Sequence, residues 1–285
     1  MTTYAVTGAT GKLGRLVLDE LLRKTDAKDI VALARDPAAL SDYAAKGVQV
    51  RKADYDDADS LEAALSGVDR VLLISGNAVG QRERQHGNVM KAAKAAGVSY
   101  LAYTSVLNAQ NSKLLMAPEH KLTENLLAGS GLTYDLLRMP WYSENYTGNL
   151  GPALESGAIY GAAGEGKLAT ATRGDLAAAS VGALLNGKGG DTYELAGDHP
   201  WTMDEFAEHV SRESGKPVKY VDQPEGEYAK GLEGAGLPPP IAALLANTSY
   251  LAGQGELYGE SKDLSRLAGR PSTPIHETIR QALKS

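Results

Sequence analysis

Short apolar runs alternate with longer stretches of helical periodicity over the first half of the chain. Each run is rich in β-branched and aliphatic residues, and in the stretch after it apolar positions recur every three or four residues. This alternation is typical of parallel strands joined by crossover helices. The predicted strands are residues 4–7, 30–34, 48–51, 71–74, 100–105 and 133–137. The pattern therefore predicts an α/β fold with a doubly wound parallel sheet.

The regular alternation weakens after Met139-Pro140, and most of the aromatic residues lie beyond this point. One more helix and one more strand, within about 170–195, are predicted to return to the sheet. We therefore expect a first, Rossmann-type domain over 1–140 that includes these returning segments. A smaller, interleaved C-terminal lobe, mainly 141–285, is expected to bind the substrate.

Two local signals concern loops and helix ends. Residues 231–240 concentrate glycine and proline, which predicts a loop. Asp59 and Glu62 have the spacing of a capping box, which predicts that Asp59 caps a helix.

The composition excludes several classes of function. The chain has 285 residues and no cysteine, which excludes disulfides, thiolate nucleophiles, iron–sulfur clusters and cysteine-built zinc sites. Its five histidines show no metal-ligand spacing, so we predict no metal site. A formal charge of −6 argues against nucleic-acid binding, and no apolar run is long enough for a membrane helix. We expect a soluble, cytoplasmic protein that binds small molecules and neither nucleic acid nor membranes.

A glycine-rich turn lies directly between the first predicted strand and the first predicted helix. Glycine allows close approach of the backbone to a pyrophosphate, and the helix N-terminus offers unpaired amides and a partial positive charge. The spacing is G-x-x-G-x-x-G, and the alternative is a turn in which glycines only relieve steric crowding. The residues expected to contact a dinucleotide here are Thr7, Gly8, Thr10, Gly11, Lys12, Leu13 and Gly14.

Arg35 indicates which dinucleotide is bound. An NAD site usually has Asp or Glu at the end of the second strand, whereas Arg at that position suits the 2′-phosphate of NADP. Lys12 adds a second positive charge, although Asp36 directly follows Arg35. NADPH is therefore the predicted cofactor, and the alternative for Arg35 is a solvated loop charge. Asp54, after the third strand, either accepts a hydrogen bond from the adenine amino group or is an ordinary loop residue.

Segments along nearly the whole chain carry a family resemblance. The N-terminal ones are Thr7-Gly8-Ala9-Thr10-Gly11-Lys12-Leu13-Gly14, Ala34-Arg35, Gly87-Asn88 before Ala92-Ala93-Lys94-Ala95-Ala96-Gly97-Val98, and His120-Lys121 with Glu124. The C-terminal ones are Leu137-Arg138-Met139-Pro140 with Glu144-Asn145, and Leu264 through Leu267-Ala268-Gly269-Arg270 to Thr273-Pro274. Together they resemble the NmrA-like family, an atypical branch of the short-chain dehydrogenase/reductase superfamily. The C-terminal segments make the match closer to the NADPH-dependent quinone reductases of that family.

The resemblance implies further site residues. Lys121 would hold the nicotinamide ribose hydroxyls and is the candidate catalytic residue. Ser75, Gly76 and Asn77, after the fourth strand, would pass along the cofactor. The segment after the sixth strand, Pro140, Trp141, Tyr142 and Ser143, would line the nicotinamide. The alternative for Lys121 is a surface ion pair with Glu124, three positions later on a helix.

The proton-transfer tyrosine of the superfamily is missing. Typical members carry Tyr-x-x-x-Lys, in which the lysine lowers the tyrosine pKa so that the phenol acts as acid or base. Here Lys121 fits the lysine, but the position four residues earlier is Ala117. A quinone makes less demand, because hydride addition gives a delocalised hydroquinone anion that water can protonate. Thr104 and Ser105, at the end of the fifth strand, either polarise a carbonyl or only cap a turn.

The predicted substrate is a quinone or a similar small aromatic molecule. Trp141, Tyr142 and Tyr146 follow the sixth strand, where they form either an aromatic wall for a quinone ring or part of the core. The first hypothesis is therefore NADPH-dependent quinone reduction by direct hydride transfer. The alternatives are a non-catalytic NADP(H) redox sensor and a reductase of a phenolic or activated alkene. A homo-oligomer is compatible with the sequence.

Overall fold

Seven parallel strands form the main sheet of the computed structural model, which describes residues 1–148 and 150–284. The described residues form nine strands in all: β1 (Tyr4–Val6), β2 (Ile30–Ala34), β3 (Gln49–Lys52), β4 (Arg70–Leu73), β5 (Tyr100–Val106), β6 (Tyr134–Met139), β7 (Ala158–Gly161), β8 (Thr192–Glu194) and β9 (Lys219–Asp222). The main sheet has the order β3-β2-β1-β4-β5-β6-β8, and β7 pairs with β9 separately. The strand order reverses between β1 and β4, which confirms the predicted α/β, doubly wound sheet.

The helices cover both faces of this sheet. They are α1 (Lys12–Leu22), α2 (Ser41–Ala44), α3 (Ala58–Leu65), α4 (Arg82–Ala95), α5 (Ala117–Ser130), α6 (Glu144–Thr147), α7 (Gly151–Ser156), α8 (Arg173–Asn186), α9 (Met203–Ser214), α10 (Glu225–Gly234), α11 (Pro239–Gly253), α12 (Asp263–Ala268) and α13 (Ile275–Ala282). Short 3₁₀ turns lie at Ala27–Asp29 and Pro37–Leu40. The described chain has no helix of the length and apolarity that a membrane crossing requires.

Successive strand residues point to opposite faces of the sheet. Val6 and Leu72 pack with the buried side chains of α1 and α8, whereas Ala5 and Val71 pack with those of α3 and α4. Because both faces are buried, the strands are continuous apolar runs rather than alternating ones. The carboxyl ends of the strands are left free to form a ligand site.

The C-terminal part has a core of its own. Trp201, Phe206, Leu251 and Ile275 are buried together in it. It is interleaved with the sheet, since β8 pairs with β6 and α8 packs beside α1. The proposed boundary between a nucleotide-binding domain and a substrate lobe stays a prediction.

Two local predictions are wrong. The residue that caps α3 is Asp57, whose carboxylate accepts a hydrogen bond from the Ser60 amide at 3.2 Å, and Asp59 lies inside the helix. The predicted loop at 231–240 is mostly helical, because α10 runs to Gly234 and α11 begins at Pro239. Prolines are tolerated in the first turn of a helix, where no amide is needed for an intrahelical bond.

We expect Gly182→Ala to destabilise the fold by about 1–3 kcal/mol, the usual range for overpacking. A β-carbon at Gly182 would lie 2.1 Å from the backbone oxygen of Leu267, so α8 and α12 would have to separate. Gly87→Ala is the matched control, because nothing lies within 4 Å of the added carbon in α4 and alanine favours a helix. Urea unfolding should show opposite signs for the two variants. Equal effects would contradict close packing at Gly182.

Candidate functional site

A cleft of about 400 Å³ lies at the carboxyl ends of β1 to β4. The glycine-rich turn forms one side of it, and the segment after β4 forms the other. Of the residues predicted to contact a cofactor, those that line this cleft are Gly8, Thr10, Gly11, Lys12, Leu13, Gly14, Arg35, Asp54, Ser75, Gly76, Asn77 and Tyr142. The fold therefore brings together residues from five separate predicted segments.

Each glycine of the turn occupies its position for a different geometric reason. Gly8 has φ of +59°, which L side chains rarely adopt. A β-carbon at Gly14 would lie 2.4 Å from the Gly8 carbonyl oxygen, so only glycine allows α1 to start this close to the strand. Gly11 is the N-cap of α1 and supplies no side-chain cap. The amides of the first turn are thus left to an external acceptor.

Two exposed cations, Lys12 and Arg35, lie at the cleft. Neither Lys12 nor Arg35 makes an ion pair or a side-chain hydrogen bond with any residue in 1–148 or 150–284, and both are exposed. Asp56 lies nearby, and a hydrogen bond from Gln85 together with the charges of Arg84 and Arg35 lowers the pKa of its carboxyl. Asp54 accepts a hydrogen bond from the Asp56 amide at 3.0 Å.

Thr7 does not line the cleft. It is fully buried, and its hydroxyl accepts a hydrogen bond from the Ile74 amide at 3.0 Å. The Tyr55 hydroxyl contacts Thr7 and donates to the Ile74 carbonyl at 2.8 Å. Thr7 thus contacts the backbone that forms the cleft wall.

The segment after β6 divides between two cavities. Tyr142 lines the cleft, and the Arg173 guanidinium lies 4.2 Å from its ring centroid. Trp141 and Tyr146 instead line a second cavity of about 620 Å³ in the C-terminal part. Pro140 and Ser143 are buried and line neither cavity, and the Ser143 hydroxyl is bonded to that of Thr170 at 2.9 Å. The predicted single aromatic wall is therefore split.

The second cavity is mainly aromatic and aliphatic. Its lining includes Phe206, and Tyr146 packs edge-on against Trp201 with ring centroids 5.0 Å apart. The Tyr146 and Tyr228 hydroxyls also belong to this cavity and have no hydrogen-bond partner in the part of the chain that the structure describes. Burial raises the pKa of Tyr146 above its ordinary value, with a smaller effect from Tyr228, so the phenol stays protonated.

Lys121 lines neither cavity, and its ammonium donates to the Gln110 carbonyl at 3.0 Å. The alternative ion pair with Glu124 is wrong, because the Arg138 guanidinium binds both oxygens of Glu124 at 2.9 and 2.7 Å. Burial raises the pKa of Glu124, but hydrogen bonds from Arg138, Ser105 and Gln110 outweigh it and hold that pKa below its ordinary value. Ser105 is buried, and its hydroxyl donates to Oε1 of Glu124 at 2.6 Å.

The cleft residues that sequence reasoning missed include four polar ones, Tyr55, Asp56, Gln85 and Arg173, besides the apolar Leu33, Ala34, Ala53, Ile74 and Ala78. Tyr55 and Asp56 directly follow Asp54 beyond the third strand, a position that a broader reading of strand ends would have included. Gln85 and Arg173 carry no local signal. They reach the cleft only because α4 and α8 pack on opposite faces of the sheet.

Two buried histidines lie behind the cleft. Nδ1 of His86 is 2.9 Å from the Thr123 hydroxyl, and Nδ1 of His120 is 2.8 Å from the Tyr103 hydroxyl. Burial lowers the pKa of His86 to about 3 and that of His120 to about 4, and the positive charge of Arg82 acts in the same direction on both. No group of three histidine or carboxylate side chains within the described ranges is arranged to hold a metal ion.

Comparison with known proteins gives consistent results. A family model described as NAD(P)H-binding matches residues 8–187. Quinone oxidoreductase 2 of Escherichia coli is 48% identical over 276 residues, which covers 96% of each chain. An NmrA-like family domain-containing oxidoreductase of Aspergillus flavus is 28% identical and covers 98% of this chain and 94% of the relative.

A solved structure agrees over the whole fold. The NADPH-dependent quinone oxidoreductase of Escherichia coli, complexed with NADPH, superposes with a TM-score of 0.96 at 47% sequence identity. The match covers 99% of this chain and 100% of the other. The resemblance to the NmrA-like quinone reductases that the sequence motifs indicate is thereby confirmed.

The two buried histidines predict loss of stability in acid. Their native pKa values lie below the ordinary 6.5, so under mildly acidic conditions the unfolded chain binds protons that the native state does not. The free energy of unfolding should therefore keep its full value above pH 6.5. As the pH decreases below 6.5, it should decrease by on the order of 1 kcal/mol per pH unit for each histidine. Urea unfolding between pH 6.5 and 5 measures this slope. His86→Gln with His120→Gln should flatten it, and an unchanged slope would contradict the assignment.

Proposed function

The chain belongs to the NAD(P)H-binding family, and from this premise we propose that it is an NADPH-dependent quinone reductase. The observation that carries the proposal is a pair of cavities that are lined by consecutive residues. One is glycine-lined with two exposed cations, and the other is aromatic; Tyr142 lines the first and Trp141 the second. A charged dinucleotide suits the first and a flat apolar substrate suits the second.

The cleft residues fit NADPH chemically. Because Gly14 has no β-carbon, the uncapped start of α1 lies close to the glycine-rich turn. The amides of this first helical turn can therefore bind a pyrophosphate. Lys12 adds a positive charge to this anion site. Arg35, at the end of β2, has a free planar fork of donors for the 2′-phosphate. The second carboxylate oxygen of Asp54 remains for the adenine amino group.

The nicotinamide end would be held by different residues. Lys121 lies outside both cavities, so its proposed contact with the ribose hydroxyls requires its side chain to reach into the cleft; the Gln110 backbone carbonyl takes one of its three donors and two remain. Ser75, Gly76 and Asn77 would form the wall of the cleft along the cofactor. When bound, NADPH supplies the hydride that reduces the quinone.

The second cavity would hold the quinone. Aromatic side chains there offer a flat, apolar surface, and the protonated Tyr146 hydroxyl is free to donate a hydrogen bond to a quinone oxygen. Such a bond stabilises the negative charge that develops on this oxygen, and water completes protonation of the hydroquinone. A non-catalytic redox sensor would have no need for this cavity, so reduction is favoured over sensing.

The proposal is tested by NADPH oxidation at 340 nm with a panel of benzoquinones and naphthoquinones. We expect quinone-dependent turnover with NADPH. NADPH binding without turnover of any quinone would instead support the sensor, and no NADPH binding would refute the cofactor site.

We expect Arg35→Ala to weaken NADPH binding by about 1–3 kcal/mol, the range for a lost charge-assisted hydrogen bond. NADH lacks the 2′-phosphate and serves as the internal control, so its affinity should change little. Fluorescence titration of both nucleotides measures the difference. An equal loss for both would remove Arg35 from the 2′-phosphate role.

We expect Tyr146→Phe to lower kcat/KM for the quinone about fivefold, since a neutral hydrogen bond contributes roughly 1 kcal/mol. The dissociation constant for NADPH should not change. Tyr160→Phe is the matched control, because Tyr160 lines the same cavity but is half exposed at 49%. If both variants behave like the wild type, the quinone does not use the Tyr146 hydroxyl.

A further inference from the structure

The backbone just after β4 is bound in an unusual way. Three consecutive amides donate to side chains from three different parts of the fold. Ile74 donates to the Thr7 hydroxyl at 3.0 Å, Ser75 to the Thr104 hydroxyl at 2.9 Å, and Gly76 to Nε2 of His86 at 2.9 Å. Beyond the end of a strand these amides have lost their sheet partners, and a buried amide without an acceptor is costly. The side chains replace the sheet and fix the path of residues 74–76.

Gly76 is held at both of its backbone polar groups. His86 accepts from its amide, and the Arg82 Nε donates to its carbonyl at 2.8 Å. Both side chains come from α4, one turn apart. Because neither Gly76 group is directed to a ligand, this residue offers the cleft only a bare backbone surface.

Gly76 also has little room for a side chain. A β-carbon there would lie 3.1 Å from Oε1 of Gln85 and 3.6 Å from Nε2 of His86. The absence of a side chain and the two backbone bonds therefore act together. They bring the segment close to the cleft and keep it there.

The protonation state of His86 follows from its partners. The Thr123 hydroxyl donates to the Glu119 carbonyl at 3.0 Å, so it must accept from Nδ1 of His86. Nε2, which accepts from Gly76, carries no proton. The imidazole is thus neutral with its proton on Nδ1.

We propose that His86 is a positioning residue that, together with Arg82, holds the Gly76 peptide and so shapes one wall of the dinucleotide cleft before the cofactor binds. The inference rests on the proposed NADPH site for its functional consequence, although the backbone contact itself does not. Preshaping lowers the ordering cost of binding, so its loss should appear in affinity.

The surroundings of His86 keep it neutral. The positive charge of Arg82 from α4 opposes protonation of His86, and so does His120 from α5 once it is itself protonated. The rings of Tyr55 and Tyr103 pack edge-on against the imidazole at 6.1 and 5.4 Å. Glu119 is linked to His86 through the hydrogen bond between its backbone carbonyl and the Thr123 hydroxyl. The carboxylate of Glu119 lies 3.2 Å from the Arg82 guanidinium. The carboxylate of Glu124 is bound by Arg138. The contact to Gly76 is therefore expected to persist at neutral and mildly acidic pH.

A pair of amide variants isolates the Gly76 contact. In His86→Asn the side chain reaches the position of Nδ1 and not that of Nε2, so it can bond Thr123 but leaves the Gly76 amide unpaired. In His86→Gln the longer side chain brings an acceptor to the position of Nε2. We expect the Asn variant to raise the dissociation constant of NADPH about tenfold. The Gln variant should retain most of the wild-type affinity for NADPH. Tyr100→Phe is the control, because it removes a buried hydrogen bond to Asp135 at the opposite end of β5.

Two further measurements do not depend on cofactor or turnover. In the cofactor-free protein, hydrogen exchange at the Gly76 amide should be faster in the Asn variant than in the wild type and the Gln variant. Nitrogen-15 NMR of wild-type His86 should show a proton on Nδ1 and none on Nε2, which tests the contact even if a variant does not fold.

The outcomes distinguish the proposed function from the positioning role of His86. Wild-type protein that fails to bind NADPH would refute the proposed function, and the Gly76 exchange data would still test the contact. NADPH binding that is equal in the wild type and the Asn variant would overturn the positioning role. A proton on Nε2, or Gly76 exchange unaffected by either variant, would overturn the contact itself.

Discussion

The open end of a parallel sheet leaves backbone amides that the sheet itself cannot pair, and the organisation of this site depends on how they are paired. On one side, the start of α1 has no side-chain cap and approaches the β1 turn closely because Gly14 has no β-carbon. Its amides are therefore left to a ligand. On the other side, the amides after β4 are bound by Thr7, Thr104 and His86. One wall of the cleft thus provides donors, and the opposite wall provides a fixed shape.

The separation of cofactor and substrate cavities also has a backbone cause. Tyr142 forms a parallel bridge with Ala171, so the chain is extended at this point. In an extended chain consecutive side chains point to opposite sides. Trp141 consequently faces the aromatic cavity and Tyr142 faces the cleft. A two-cavity arrangement thus needs no additional element between cofactor and substrate.

A buried network of charged residues keeps Lys121 from forming an ion pair with Glu124. Arg138 on β6 binds Glu124 with two donors and reaches Glu194 on β8 with a third at 2.8 Å. Glu124 also accepts a hydrogen bond from the side-chain amide of Gln110. The backbone carbonyl of Gln110 accepts a hydrogen bond from the ammonium of Lys121. Since Glu124 is fully engaged, the ammonium of Lys121 is not neutralised by the acid three positions away. Charge-assisted, bidentate contacts of this kind hold geometry well.

The sequence by itself determined the fold class, the glycine-rich turn and the charge at Arg35, because these depend on local periodicity and on residues adjacent in the chain. The cofactor roles of the individual residues stay predictions. Tertiary structure alone decided that Thr7 lies behind the cleft, that Trp141 and Tyr142 face different cavities, and that Gln85 and Arg173 join the site. It also paired Glu124 with Arg138 instead of Lys121. These outcomes depend on which elements pack together, and contacts between residues far apart in the chain leave no trace in local spacing.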